Sequence, residues 1–279
     1  MTSSFAAAVS TYDAAALPQR LAASRLASEA CSRMMAGGSL GAEAPLHTLI
    51  DLGCGTGLMS RAWLDQLQEQ AHPFPQQLWL VDQAPSMVER AVVLLRQRHG
   101  AVQGDVLDAF SPAGLSSLAS QLPNQGTRLL ASSYALQWSE QPLTVLREVW
   151  SILLRPGDWL AVAMPDQRSF AVLHAALSAA GLPSHFLKLP CHEALIGEQG
   201  QAALASRFQW VAGGGFANAV PVESALAYLR HFNLIGASPV RSPYSRRELM
   251  GLLRCLDQEL SQGVAELDYH SSWILLRRR

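Results

Sequence analysis

Leu49-Ile50-Asp51-Leu52-Gly53-Cys54-Gly55-Thr56-Gly57 is the stretch around which the rest of the chain can be ordered. An apolar run ends in an acid, three glycines follow at alternate positions, and a helix-like pattern begins at Leu58. Glycine lacks a Cβ, so it tolerates positive φ and lets the backbone come close to a ligand. A nicotinamide-binding fingerprint that began at Gly53 and Gly55 would place its last glycine at position 58, where the chain has Leu58. A plain glycine turn between strand and helix reads the same way locally. The neighbouring elements therefore decide.

Leu46 to Leu52 predicts a buried strand and Leu58 to Gln70 a helix, closed by His72-Pro73-Phe74-Pro75. Leu78 to Val81 predicts a second strand with Asp82 at its carboxyl end, and Pro85 opens a helix that closes near Gly100. Ala101 to Gln103 predicts a short third strand leading into Gly104-Asp105-Val106. Residues 111 to 127 predict a short surface helix, Leu129 to Ser132 strand four, Pro142 to Leu154 a helix, and Trp159 to Met164 strand five. Upstream, an alanine-rich helix is predicted from about Leu17 to Met35, with Pro18 in its first turn and Gly37-Gly38 as its stop. Strands alternating with helices imply an α/β fold whose sheet is mostly parallel, with helices on both faces. Beyond Met164 the alternation stops. A helix from Phe170 to Ala180 comes first, then loop and short helix over residues 181 to 206. Phe208 to Val220 reads as a strand interrupted at Gly213-Gly214-Gly215. Helices at Glu223 to Phe232 and Arg246 to Gln262 and a closing strand at Asp268 to Leu276 complete the chain.

Composition narrows the partners. The 279 residues are 49% hydrophobic and 15% charged, which favours a sizeable core over disorder. Net charge is -1 and Arg277-Arg278-Arg279 is the one basic run, so nothing marks a nucleic-acid binder. Cys31, Cys54, Cys191 and Cys255 are widely spaced, which supports neither a disulfide framework nor a structural zinc site and makes a reducing cytoplasm the expectation. Neither a signal peptide nor an apolar span of about 18 residues is legible, so no membrane association is expected.

Ligands of open parallel sheets bind beyond the carboxyl ends of the strands. Asp51, Asp82 and Asp105 fall there, after strands one, two and three. Each alone is equally well a helix cap or turn former. With the glycine loop they form a set, in which Asp82 is placed to accept both hydroxyls of an adenosine ribose.

The glycine spacing resembles the loop of class I S-adenosylmethionine (AdoMet) methyltransferases. That ligand is a sulfonium without phosphate, which agrees with the absence of any G-x-x-x-x-G-K-[ST] loop. Further matches lie at both ends: Phe5, Tyr12-Asp13 and Gln19 in front; Leu58-Met59-Ser60-Arg61 and Trp63 after the loop; Ser132-Ser133-Tyr134-Ala135-Leu136-Gln137-Trp138 after strand four. Leu146-Arg147-Glu148, Leu154-Arg155-Pro156-Gly157, Leu229-Arg230, Ile235-Gly236-Ala237 and Leu267-Asp268-Tyr269-His270 follow the same pattern. Over nearly its whole length the chain resembles the malonyl-acyl-carrier-protein O-methyltransferases of biotin synthesis.

This resemblance implies a Rossmann-like class I methyltransferase fold with a seven-stranded sheet, divided into an N-terminal helical segment (1–45), an AdoMet-binding core (46–164), a helical lid between strands five and six (165–206) and a C-terminal completion of the sheet (207–279). It implies a cofactor site of Asp51, Gly53, Cys54, Gly55, Gly57, Asp82, Gln83, Met87, Asp105, Val106 and Ser133, and transfer of methyl to the free carboxylate of malonyl-acyl carrier protein. A carboxylate is already ionised at pH 7, so no general base and no catalytic acid or base residue is expected. Burying it unpaired is costly, so a cation or donor is expected to orient it. Tyr12, Gln19, Arg168, His185 and Lys188 are the candidates, with Trp138 as a wall of the pocket. Surface pairing of Arg168 and simple solvation of Lys188 are the plainer alternatives. The chain also departs from the family pattern at Thr127-Arg128, Ser133, Val172 and His185-Phe186-Leu187-Lys188, which bears on substrate identity. Two rival readings are methylation of a small free acid, as in trans-aconitate methyltransferases, and a non-catalytic adaptor on the same fold. An amino-group methylase of nucleic acid would carry N/D-P-P-[YFW] after strand four, where this chain has Ser132-Ser133-Tyr134.

Overall fold

The computed structural model describes residues 11–37, 45–237, 243–263 and 265–279. Phe5 and Gly38 lie outside the described residues. The seven strands are β1 (Leu46–Leu52), β2 (Gln77–Asp82), β3 (Val102–Val106), β4 (Thr127–Ser133), β5 (Trp159–Pro165), β6 (Phe208–Pro221) and β7 (Glu266–Arg278). They form one sheet in the order β3-β2-β1-β4-β5-β7-β6. β1 to β5 run parallel, whereas β7 is antiparallel to both β5 and β6. Chain order reverses between β1 and β4, so the loops after these two strands diverge and leave a crevice at their carboxyl ends.

β1 is buried at all seven positions, as a central strand covered on both faces must be. Leu49 packs on one side with α1 (Leu17–Ala36), α2 (Leu58–Glu69) and α3 (Pro85–Arg96); Ile50 and Leu52 pack on the other with α4 (Pro112–Gln121) and residues 145–154. On α1, Ala22, Ala23, Ala27 and Ala30 are fully buried, small enough for the helix to lie close to its neighbours. A third apolar cluster builds the far end of the molecule from α5 (Ala171–Ala179), α8 (Ala225–Leu234), α9 (Arg246–Gln262) and the start of β7. Between α5 and β6 lie the short helices α6 (His192–Ile196) and α7 (Glu198–Leu204).

Two predicted elements differ. The helix expected over Pro142 to Leu154 is one α turn (Pro142–Thr144) that widens to a π turn (Val145–Val149) and then tightens to a 3₁₀ turn (Trp150–Leu153). Within it Trp150 is fully buried and its indole N–H donates to Ala109 O at 2.8 Å, an anchor that helical periodicity does not encode. β6, expected to break at Gly213-Gly214-Gly215, continues through them. A Cβ at Gly213 would stand 2.4 Å from the Trp210 ring, and one at Gly215 would stand 2.6 Å from Arg168 Nη2. These glycines make room for side chains lying across the strand. Arg128, at one of the departures from the family pattern, is buried and donates from its guanidinium to Leu153 O at 2.8 Å and Pro123 O at 2.7 Å. It ties β4 to the turn before β5.

Candidate functional site

The glycine loop is pinned to the end of β2. Gly53 N–H and Cys54 N–H both donate to Val81 O, at 2.8 and 2.9 Å. Gly53, Gly55 and Gly57 all have positive φ. A Cβ on Gly53 would fall 2.3 Å from Ala135 Cβ, whereas Gly55 opens to space whose nearest atom is Tyr12 Oη at 4.0 Å. Only Gly55, therefore, keeps its backbone clear for a ligand; Gly53 and Gly57 serve the turn itself.

Asp82 closes the loop from beneath. Its Oδ2 accepts Gly55 N–H at 3.0 Å and its Oδ1 accepts Ala84 N–H at 2.9 Å. Burial raises its pKa against the lowering effect of these bonds. Asp51, almost fully buried, accepts Ser60 N–H (3.0 Å) and Ser60 Oγ–H (2.7 Å) through Oδ2, and its Oδ1 has no partner. Desolvation pushes its pKa up to about 7. Thr56 Oγ1 donates to Asp13 Oδ1 at 2.6 Å, which fastens the N-terminal segment over the loop.

A cleft opens here, lined among others by Gly53, Cys54, Gly55, Asp82, Gln83 and Met87, with Tyr12, Gln19, Ser133, Tyr134 and Trp138 opposite. Among the described residues its charged side chains are Asp82 and Asp108, with no Lys, Arg or His in the lining. Gln19 Oε1 and Ser133 Oγ are buried there without a hydrogen-bond partner. Two acids, orphaned acceptors and an unobstructed glycine suit a cationic ligand that carries hydroxyls, and they suit AdoMet well.

Seven of the eleven expected cofactor residues, Gly53, Cys54, Gly55, Asp82, Gln83, Met87 and Ser133, line the cleft. Asp51 and Gly57 lie behind it, shaping the loop. Asp105 and Val106 belong to edge strand β3 and do not line it; Asp108, Ala109 and Phe110, after the strand, do. The sequence signal for these was weak, because the strand runs two residues further than Gly104 suggests.

A second cavity adjoins the first and shares Tyr12, Gln19, Tyr134 and Trp138 with it. The remaining wall is aromatic and aliphatic: Phe170, Leu173, Phe186, Phe232, Ile235 and Tyr269, with His174 among them. Tyr134 has φ +60, a left-handed conformation rare for a bulky residue, and its hydroxyl lies 2.8 Å from Ser271 Oγ. Burial pushes the Tyr134 phenol up to about 12 and raises Tyr12 and Tyr269 further, so all three stay protonated as donors at neutral pH.

The structure does not bring the expected cations to this cavity. Arg168 turns to the fully buried Asp166, donating from Nε to Oδ1 (2.9 Å) and from Nη2 to Oδ2 (2.7 Å). His185 is exposed and its ring lies tilted against that of Tyr244, with centroids 5.3 Å apart. Lys188 is exposed and lines an outer groove beside Trp138. Tyr12, Gln19 and Trp138 do lie on the wall between the two cavities.

No protein-family model matches the chain. It is 23% identical over 287 residues to the malonyl-[acyl-carrier protein] O-methyltransferase of Bacteroides thetaiotaomicron, covering 99% of this chain and 96% of that protein. It is 29% identical over 160 residues to the enzyme of that name from Serratia marcescens, covering 56% of this chain and 49% of the relative. A trans-aconitate 2-methyltransferase from Deinococcus radiodurans is 30% identical over 138 residues, 49% of this chain and 45% of the relative. Apart from the Bacteroides protein, the match spans about half the length of these relatives or less. A Bacillus halodurans protein assigned to the methyltransferases superposes with a TM-score of 0.53 at 12% identity, over 88% of this chain and 97% of that one. The chain has the class I AdoMet-dependent methyltransferase fold. Among the described residues, no helix of this methyltransferase fold is long and apolar enough to cross a membrane.

Proposed function

We propose that this chain methylates the free carboxylate of a malonyl thioester borne on acyl carrier protein, with AdoMet as the methyl donor. The observation that carries this reading is the pair of adjoining cavities. An acid-lined cleft beside the glycine loop meets a largely aromatic and aliphatic cavity across Tyr12, Gln19, Tyr134 and Trp138. Similarity to malonyl-[acyl-carrier protein] O-methyltransferases along the full length of one relative supports the substrate class.

In the first cleft Asp82 would take the ribose hydroxyls, Gly55 would leave its backbone open, and Asp82 with the orphaned Gln19 Oε1 would face the ligand's positive charge. Bound AdoMet supplies an activated methyl group on a sulfonium. The protein's own contribution is placement. The acceptor carboxylate is ionised at neutral pH and needs no base, so the walls have to hold it about 3–3.5 Å from the reacting carbon and keep water out. Protonated Tyr12, between the two cavities, is the donor best placed to orient it. Loss of charge on ester formation then favours the apolar cavity, since a neutral ester is cheaper to bury than a carboxylate.

The test is mass spectrometry of malonyl-acyl carrier protein after incubation with the purified chain and AdoMet. A gain of one methyl group, absent with the acetyl form, is the expected result. The Deinococcus relative motivates one competing substrate, a small free polycarboxylic acid. Methylation of trans-aconitate with none of malonyl-acyl carrier protein would replace our reading with that one.

A further inference from the structure

Gln137 stands where the aromatic cavity passes into a long outer groove. It lines both, together with Trp138, Leu187 and Leu189. From there the groove runs between residues 137–144 and residues 187–195. Leu143, Pro190 and Leu195 make much of it apolar, and among the described residues Lys188 is its single basic side chain.

The chemistry of Gln137 is fixed by its neighbour. The side chain is 7% exposed, and its Nε2 donates to Tyr134 O at 2.7 Å. A carbonyl oxygen only accepts, so the amide cannot be turned the other way. Oε1 is left buried without a hydrogen-bond partner. A desolvated acceptor in that state disfavours the empty site until a donor reaches it. A free di- or tricarboxylate brings more acceptors and no N–H. A pantetheinyl thioester is flexible, narrow and largely apolar, and it carries amide N–H groups along its length.

Resting on the carboxyl-methyltransferase reading above, we propose that the groove takes the pantetheinyl arm of a carrier-borne thioester, with Gln137 Oε1 accepting an amide N–H of that arm. Gln137 then acts as a selector for carrier-linked acids over free ones. The acyl carboxylate enters first and reaches Tyr12 at the inner end. The amide stops at the junction, and the rest of the arm lies along Leu143 and Leu189 toward solvent.

The experiment compares two substrates that differ at this point alone: malonyl-N-acetylcysteamine, which has one amide, and malonyl S-pentyl thioester, of similar length without one. KM for each is measured with AdoMet saturating, on the full chain and on Gln137→Leu. The wild type is expected to show a KM about 3- to 10-fold lower for the amide-bearing thioester, the span of one buried hydrogen bond. Gln137→Leu is expected to remove that preference, bringing the two KM values within about two-fold of each other. Equal KM for the two thioesters in the wild type overturns the proposal and leaves the methyltransferase reading standing. An equal rise for both in the variant overturns it too. Failure to methylate either thioester, with free trans-aconitate turned over, removes the function reading and this inference together. The wild-type comparison decides the matter even where Gln137→Leu does not fold.

Discussion

The Asp82 carboxylate and the Gly55 backbone N–H are joined by a 3.0 Å hydrogen bond, so the acid at the end of β2 holds the glycine loop as well as facing the cleft. Because Ala84 N–H occupies the other oxygen, the whole carboxylate is oriented by the main chain before any ligand arrives.

Asp82→Ala should therefore weaken AdoMet binding by about 1.5–3 kcal/mol, as expected for loss of hydrogen bonds to a charged group. Asp82→Asn should not restore it, because its amide N–H would oppose one of the two backbone donors. Titration calorimetry on both variants checks this, and affinity equal to wild type in either would remove Asp82 from the cofactor site.

Gly53→Ala places a Cβ 2.3 Å from Ala135 Cβ at a residue whose φ is +69. Both backbone and packing resist it, and the residue displaced sits on the cleft wall. The expected outcome is a folded chain with a Tm lowered by several degrees, a loss of about 1–3 kcal/mol, and AdoMet binding too weak to titrate. Normal affinity in this variant would mean that the loop tolerates a wider turn than the geometry allows.

Asp51 gives a pH signature. Its folded pKa, near 7 through burial, lies above the ordinary carboxylate value, so the native state holds a proton that the unfolded chain releases between about pH 4 and 7. Its contribution to stability is present below that window and is lost as pH rises through it. Asp51→Asn keeps an oxygen for Ser60 and does not titrate. The Tm difference between variant and wild type should grow in favour of the variant from pH 4 to 7 and level off above. A pH-independent difference would show that Asp51 stays ionised in the fold.

Arg168→Ala should lower stability by about 1–3 kcal/mol, less than for a fully buried pair, because Arg168 is 38% exposed while Asp166 is 0% exposed and keeps Ser272 as a donor. Its kcat, acyl-substrate KM and AdoMet affinity should stay near wild type. A ten-fold rise in KM without a change in Tm would return Arg168 to the substrate site.

The cleft beside the glycine loop is legible where its residues are local: the loop, Asp82 and Met87 lie between β1 and the first turn of α3, where strand ends and glycine spacing map directly onto the sheet. Asp105 reads in the sequence as following a strand that in the fold includes it, and the cleft is lined beyond the strand's end at Asp108 to Phe110. The second cavity was legible only at Tyr12, Gln19 and Trp138. Phe170, Phe186, Phe232 and Tyr269 come from separate elements, each apolar for ordinary packing reasons, and no periodicity says that they share a cavity. Arg168 is harder to place from sequence, because a charge shortly after a strand reads equally as available or as paired. Its buried partner, Asp166, is two residues away and becomes decisive only once β7 brings Ser272 beside it.

The site walls also join parts of the chain that are far apart in sequence. Thr11 Oγ1 donates to Leu234 O across 223 positions, and Asn218 Nδ2 donates to Pro18 O across 200. Closing loops of that size carries a high entropic cost before any contact compensates. The parallel half of the sheet is built from nearer neighbours, so it should form first and leave the enclosure for last. Refolding followed by AdoMet binding should accordingly lag refolding followed by far-UV dichroism; coincident traces would rule this order out. A nascent chain that has exposed its glycine loop but not yet β7 would hold most of a core and no enclosed place for an acyl group, so competence would arrive with the final strand.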